Sequence, residues 1–199
     1  MLHEVRPRTM VSNARLENLY RIAGNPDLPA GAFVECGVGY GGCVAAMAYA
    51  GGPKREVWGF DSFEGMPPLS AKDEGDGEKW VGFKASGRGL EDAQQTVDHF
   101  RLRNVTLVKG WFDDTLPPRR ERIGPIAVLR LDNDWYESTR FTLRQLYDQV
   151  VVGGCIIIDD YHTFLGCRKA VDEFREERNI RTPMTTTESD SETWWVRES

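Results

Sequence analysis

The chain has 199 residues, enough for one ordinary domain built on a sheet covered on both faces. Hydrophobic residues make up 40% and charged residues 28%, a globular balance that excludes a disordered chain. The formal net charge of -6 argues against the basic surface of a nucleic-acid binder, and no apolar run approaches the roughly 18 residues of a membrane span.

Glu4, Arg6 and Arg8 interrupt any apolar run at the start of the chain, so no secretory signal is expected there. Ser12 to Ala23 has helical spacing, with Leu16, Leu19, Tyr20 and Ile22 on the side to be buried. Phe33 to Cys36 reads as a short strand that runs into glycines, and Cys43 to Tyr49 as a small-residue helix lying close to the sheet. Val57 to Phe60 is a second strand. Residues 67–89 mix prolines, glycines and charges with Trp80, Val81 and Phe83, and so long an irregular stretch in a compact domain reads as a functional lid. Leu90 to Leu102 is helical, and Val105 to Val108 is a third strand. Ile126 to Leu131 is a continuous apolar strand apart from Arg130, and a helix is expected from Tyr136 to Val150. Cys155 to Ile158 is a still more apolar strand, Gly166 to Glu177 a helix, and Arg181 to Thr187 with Thr193 to Val196 a terminal antiparallel pair. Trp194 and Trp195 would then sit on an edge strand as packing or subunit contact. Strand and helix alternate almost throughout, which predicts one α/β domain over residues 1–199. Its sheet is doubly wound, seven-stranded and mostly parallel, with helices on both faces and the last strand pair antiparallel. The four cysteines (Cys36, Cys43, Cys155, Cys167) lack paired short spacing, so reduced thiols and a cytoplasmic location are expected.

Gly37, Gly39 and Gly42 satisfy G-x-G-x-x-G between a strand and a helix, a pattern that nicotinamide-dependent dehydrogenases share. Glu35 separates the alternatives. A dinucleotide lays an anionic pyrophosphate on this turn, which a carboxylate two residues upstream repels, whereas S-adenosylmethionine brings a sulfonium and an ammonium group. One carboxylate about 4 Å from a cation is worth ~4 kcal/mol at an effective dielectric near 20, before desolvation. Asp61 ends the second strand, where a carboxylate can accept both ribose hydroxyls. Trp111 and Phe112 follow the third strand, where an adenine can lie against an aromatic face, although plain core is an equal reading.

Asp132 ends the fourth strand, and Asp159 with Asp160 ends the fifth. Neighbouring strands lie about 4.8 Å apart, so these carboxylates converge on the ligand-binding edge and repel one another unless a cation sits between them. Oxygen-only ligands suit Mg2+, which can bind an acceptor hydroxyl and lower its pKa. Asp134 reads as the N-cap of the next helix, and His162 as a surface loop residue whose part in catalysis stays open. The rival classes are a magnesium-dependent phosphohydrolase of haloacid dehalogenase type and a non-catalytic binding protein on the same fold. The first resembles Asp132-Asn133-Asp134 with Asp159-Asp160, but fewer than thirty residues separate the two sets and the glycine loop goes unexplained.

The chain resembles the macrocin O-methyltransferase family, whose members methylate sugar hydroxyls of macrolides and related natural products. The resemblance runs through Arg8-Thr-Met10, Val34-Glu-Cys-Gly-Val38, Gly59-Phe-Asp-Ser-Phe-Glu-Gly-Met-Pro67 and Lys109-Gly-Trp-Phe-Asp-Asp-Thr-Leu-Pro117. It continues through Leu131-Asp-Asn-Asp-Trp-Tyr-Glu-Ser-Thr139 and from Gly153 to Phe174. It implies a Rossmann-like class I methyltransferase of antibiotic biosynthesis, oligomeric, acting on a small hydroxylated, glycosylated natural product. By resemblance, Asp132, Asp159 and Asp160 are the Mg2+ ligands, with Asp132 also the general base. Thr9, Met10, Glu35, Gly37, Gly39, Asp61, Ser62, Phe63, Trp111 and Phe112 then line the S-adenosylmethionine site. Two departures stand out: longer members carry an extension ahead of Thr9-Met10, and Trp135 stands where catechol-type relatives have a lysine base.

Overall fold

The structure, a computed structural model, describes residues 1–73, 75, 77–84, 87–187 and 192–198. The strands are β1 (Ala32–Cys36), β2 (Val57–Asp61), β3 (Val105–Lys109), β4 (Ile126–Leu131), β5 (Val150–Ile158), β6 (Thr185–Thr186) and β7 (Thr193–Val196). They form one sheet in the order β3-β2-β1-β4-β5-β7-β6. β1 to β5 pair in parallel, while β7 is antiparallel to both β5 and β6. The strand order reverses between β1 and β4, the switch point at which open α/β sheets bind ligands beyond the strands' carboxyl ends. Among the described residues, no helix is long and apolar enough to cross a membrane.

Side chains alternate between the two faces of the sheet with period two. Val34, Cys36, Trp58, Phe60, Leu129, Leu131, Ile156 and Ile158 pack against α7 (Tyr136–Leu146) and α8 (Leu165–Glu177). Phe33, Val57, Val128, Cys155 and Ile157 face α2 (Asn13–Ala23) and α3 (Gly42–Gly51), with Ala93 of α4 (Leu90–His99) in the same cluster. The α2 terminus is set by Ser12, whose hydroxyl accepts the Arg15 N–H.

Several boundaries differ from those the sequence suggests. Short helices, α1 (Leu2–Val5), α5 (Phe112–Thr115) and α6 (Arg120–Ile123), lie where no periodicity long enough to read was present. The helix expected to reach Val150 ends at Leu146, and β5 begins at Val150 because the β-branched run Val150-Val151-Val152 favours a strand. The helix expected to reach Leu102 ends at His99, ahead of Arg101, which has a φ of 54°. β7 is not an edge strand. It is flanked by β5 and β6, and Trp195 is buried while Arg21 lies over the Trp194 ring.

Glu192, next to β7, is fully buried; its Oε1 accepts the Asn18 amide at 2.6 Å and its Oε2 has no partner among the described residues. Burial, and then the nearby Asp159 charge, push its carboxyl up from 4.5 to about 7. The folded state thus holds this proton more tightly than the unfolded chain. The associated stability is present in full below 4.5 and is lost as pH rises through 7. Glu192→Gln is expected to unfold at a higher urea concentration than the parent at pH 8, by up to roughly 3 kcal/mol. The gain should shrink towards pH 4.5, and equal gains at both pH values would contradict it.

Candidate active site

Strand parity assembles the site. Register pairs Glu35 with Arg130 across β1 and β4, on the sheet face that carries Phe33 and Val128. Two residues further along, Asp132 and Asp159 extend the same ladder beyond the strand ends. The Asp132 N–H bonds to the Cys36 carbonyl and the Asp159 N–H to the Leu131 carbonyl, each at 2.9 Å. Glu35, Arg130, Asp132 and Asp159 therefore share one face of the sheet at the switch point.

Arg130 is the centre of that group and is 1% exposed. Its Nη1 donates to Glu35 Oε1 at 2.6 Å and to Asp132 Oδ2 at 2.9 Å, and its Nη2 donates to Asp159 Oδ1. From α2, Arg15 donates to the other Asp159 oxygen at 2.5 Å and lies 3.7 Å from Asp160. Glu35 is buried, its second oxygen has no partner among the described residues, and burial lifts its carboxyl to about 8 even against the Arg130 charge. In the sequence, Arg130 stands out only as an interruption in an apolar strand. The available signal was that a buried arginine needs paired carboxylates.

Asp132, Asp134 and Asp160 each offer a carboxylate oxygen, and these oxygens all lie within 4.8 Å of one another. The expected set of Asp132, Asp159 and Asp160 is thus only partly brought together. Asp159 turns instead to two guanidinium groups, which neutralise it, and Asp134 takes the third place. Asp134 is not a helix cap. The capping position of α7 is Trp135, and the Tyr136 N–H donates to Asp73 Oδ1 at 2.7 Å. Asp134 has a φ of 62°, and its carboxyl, hydrogen-bonded to that of Asp160, is raised to about 7 by burial and by the Asp132 charge. Burial and neighbouring carboxylates also raise Asp132 and Asp160 well above the usual range. Acidic oxygens this close are what a divalent cation would relieve.

These carboxylates floor a cavity of about 360 Å³ lined also by every cofactor-site residue expected from the sequence. At Gly37, whose φ is 93°, a Cβ would stand 1.9 Å from the Asp132 carbonyl, so only glycine lets β1 pass the end of β4. The turn is braced by Asp61, whose Oδ2 accepts the N–H groups of Val38 (2.8 Å) and Gly39 (2.9 Å). Asp61 Oδ1 accepts the Phe63 N–H at 2.7 Å, holding Phe63 at a φ of 55°. A carboxylate oxygen can accept two bonds, so Asp61 Oδ1, which accepts one, has room for one more from a ligand. Ser62 accepts the Glu64 N–H at 3.1 Å, and Trp111 and Met10 stay exposed at the rim. The Thr9 hydroxyl contacts the Cys43 thiol at 3.4 Å, tying the N-terminal segment to α3. His162 stands apart from the lining, between Arg168 at 2.8 Å and Thr186 at 3.3 Å.

The family model of the TylF macrocin O-methyltransferases matches residues 5–197. The chain belongs to this family. It is 36% identical to demethyldecarbamoylnovobiocin O-methyltransferase of Streptomyces niveus, over 94% of this chain and 74% of that one. It is 34% identical to a tetracenomycin-type rhamnosyl 4'-O-methyltransferase of Streptomyces olivaceus, over 94% of this chain and 74% of that one. The solved O-methyltransferase NovP superposes with a TM-score of 0.82 at 33% identity, over 96% of this chain and 83% of that one. Membership makes the chain an S-adenosylmethionine-dependent O-methyltransferase.

Proposed function

We propose that the chain transfers a methyl group to a sugar hydroxyl of a glycosylated natural product, with Mg2+ beside the acceptor. The observation that carries this reading is the acidic group of Asp132, Asp134 and Asp160 on the floor of a cavity that also opens onto the glycine turn. The sugar acceptor is supported by a relative named as the 4'-O-methyltransferase of a rhamnosyl tetracenomycin, alongside others named for a novobiocin-type and a mycinamicin acceptor. Bound at the turn, S-adenosylmethionine supplies an electrophilic methyl group, and the buried Glu35 with one unpartnered oxygen suits its cationic end. A Mg2+ ion held by Asp132 and Asp160 would lower the acceptor hydroxyl's pKa and fix its oxygen.

Within this reading Asp132 has two calls on it, metal ligand and base, while it already accepts from Arg130. Asp134 is the better proton acceptor. Burial and the Asp132 charge hold its carboxyl above the usual aspartate range, which makes it a stronger base than an ordinary carboxylate. Asp61 and the glycine turn hold the donor half, and orientation does much of the rest, because an in-line displacement moves few protons.

The test is a methyl-transfer assay on a panel of glycosylated aromatic and macrolide acceptors, with and without chelator. Chelator should abolish transfer and added Mg2+ restore it, while affinity for S-adenosylhomocysteine changes little. Full activity in chelator would remove the metal from the reading.

A further inference from the structure

Asp73 is buried to 1% exposure in the middle of the segment expected to act as a lid, and nothing in the chemistry above uses it. Its Oδ1 accepts the Tyr136 N–H at 2.7 Å. Its Oδ2 accepts the Ser70 N–H at 2.9 Å and the Ser70 hydroxyl at 2.6 Å. The carboxylate thus closes a tight turn on its own segment and, at the same time, satisfies a free N–H at the start of α7. That is the helix that follows directly on Asp132, Asn133 and Asp134. A negative charge is favoured at such a terminus. Room for it comes from Gly166 at the start of α8, where a Cβ would stand 2.0 Å from Asp73 Oδ1 and 3.0 Å from its Cγ.

Two further contacts run the same way. The Trp135 indole donates to the Pro67 carbonyl at 3.0 Å, and Lys72 donates to the Tyr136 hydroxyl at 2.8 Å. At the base of the segment, the Met66 N–H bonds to the Phe83 carbonyl and the Gly82 N–H to the Met66 carbonyl, each at 2.9 Å. The described part of the segment is therefore a strap, pinned at its base to itself and at its far end to the turn that carries the acidic group. Met66, Pro67, Trp80 and Phe83 on this strap line the cavity together with Asp134.

We propose that Asp73 is a positioning residue: it latches the strap to the β4–α7 turn, so that the cavity wall and the acidic group are held in one fixed relation. The notion that this wall meets an acceptor rests on the proposed function; the latch itself does not, and neither does its test. Two substitutions reach the latch from opposite sides. Asp73→Ala removes the carboxylate, while Gly166→Ala displaces it without touching the cavity lining. An alanine inside a helix ordinarily stabilises it relative to glycine, so a harmful Gly166→Ala would be informative. Asp73→Asn is the conservative control, since its carbonyl can still accept the Tyr136 N–H.

The measurement is hydrogen exchange on the full chain, with and without S-adenosylhomocysteine. In Asp73→Ala and Gly166→Ala, amides of the strap and of Tyr136 are expected to exchange at least ~10-fold faster, with strands β1 to β5 unchanged. Affinity for S-adenosylhomocysteine should stay within about two-fold, and Asp73→Asn should restore Tyr136 protection. Parental exchange in both variants, or acceleration spread evenly over the sheet, would overturn the latch. Loss of S-adenosylhomocysteine binding by the parent would count against the functional reading and leave the exchange result to decide the latch.

Discussion

Replacing Arg130 with methionine is expected to destabilise the fold by about 3–5 kcal/mol, measured by urea unfolding at pH 7. The side chain fits the space of an apolar residue, yet it is the partner of three carboxylates. Glu35 and Asp159 are almost wholly buried and Asp132 is about a quarter exposed. Deleting the guanidinium leaves those charges facing one another without compensation, and desolvation then works against each of them. Part of the loss should be recovered by acidification, because Arg130 holds the Asp132 carboxyl down, and without it that carboxyl takes up its proton at a higher pH than in the parent. Stability of Arg130→Met should therefore rise relative to the parent as pH falls from 8 towards 5. The double substitution Arg130→Met, Glu35→Gln should recover more than the sum of the single effects predicts, since the two residues share one contact. An Arg130→Met protein as stable as the parent at pH 8 would show that the network contributes nothing to folding.

The layout of this network also explains what was legible from sequence. The sheet was, because nearly continuous apolar runs at β1, β4 and β5 admit few other readings, and the glycine at 37 marks where the chain must turn against Asp132. Asp61 was legible as a strand-end carboxylate, but its grip on the backbone of Val38 and Gly39 was not, since that depends on how two loops meet. The acidic group was legible as a set of positions and not as a set of partners. Which of Asp134 and Asp159 joins Asp132 and Asp160 is decided by Arg15, which is remote in sequence, and by the left-handed backbone at Asp134. The same holds for Asp73. One acidic residue among several, interspersed with lysines and glycines, carries no periodicity, and its role appears only once Gly166 and Tyr136 lie beside it.

Asp134→Asn is expected to lower kcat by about 10²–10⁴-fold, the range for removing a general base, with S-adenosylhomocysteine affinity and unfolding midpoint close to the parent's. Asparagine is the substitution that isolates the proton. It keeps the size of the side chain and tolerates the φ of 62° that Asp134 adopts, where alanine would add backbone strain and confuse the outcome. The base works only when deprotonated, so kcat of the parent should rise with pH to a break where the Asp134 carboxyl ionises, which bound Mg2+ sets below the metal-free value of about 7. That break should be absent from the residual activity of the variant. Asp132→Asn should also lose activity, but through weaker Mg2+ binding, and excess Mg2+ should recover part of it. A Asp134→Asn enzyme retaining more than about a tenth of parental kcat with the same pH break would move the base elsewhere, with Asp132 next in line. The two variants thus separate a residue that takes the proton from one that holds the ion, a distinction their shared place on one turn would otherwise hide.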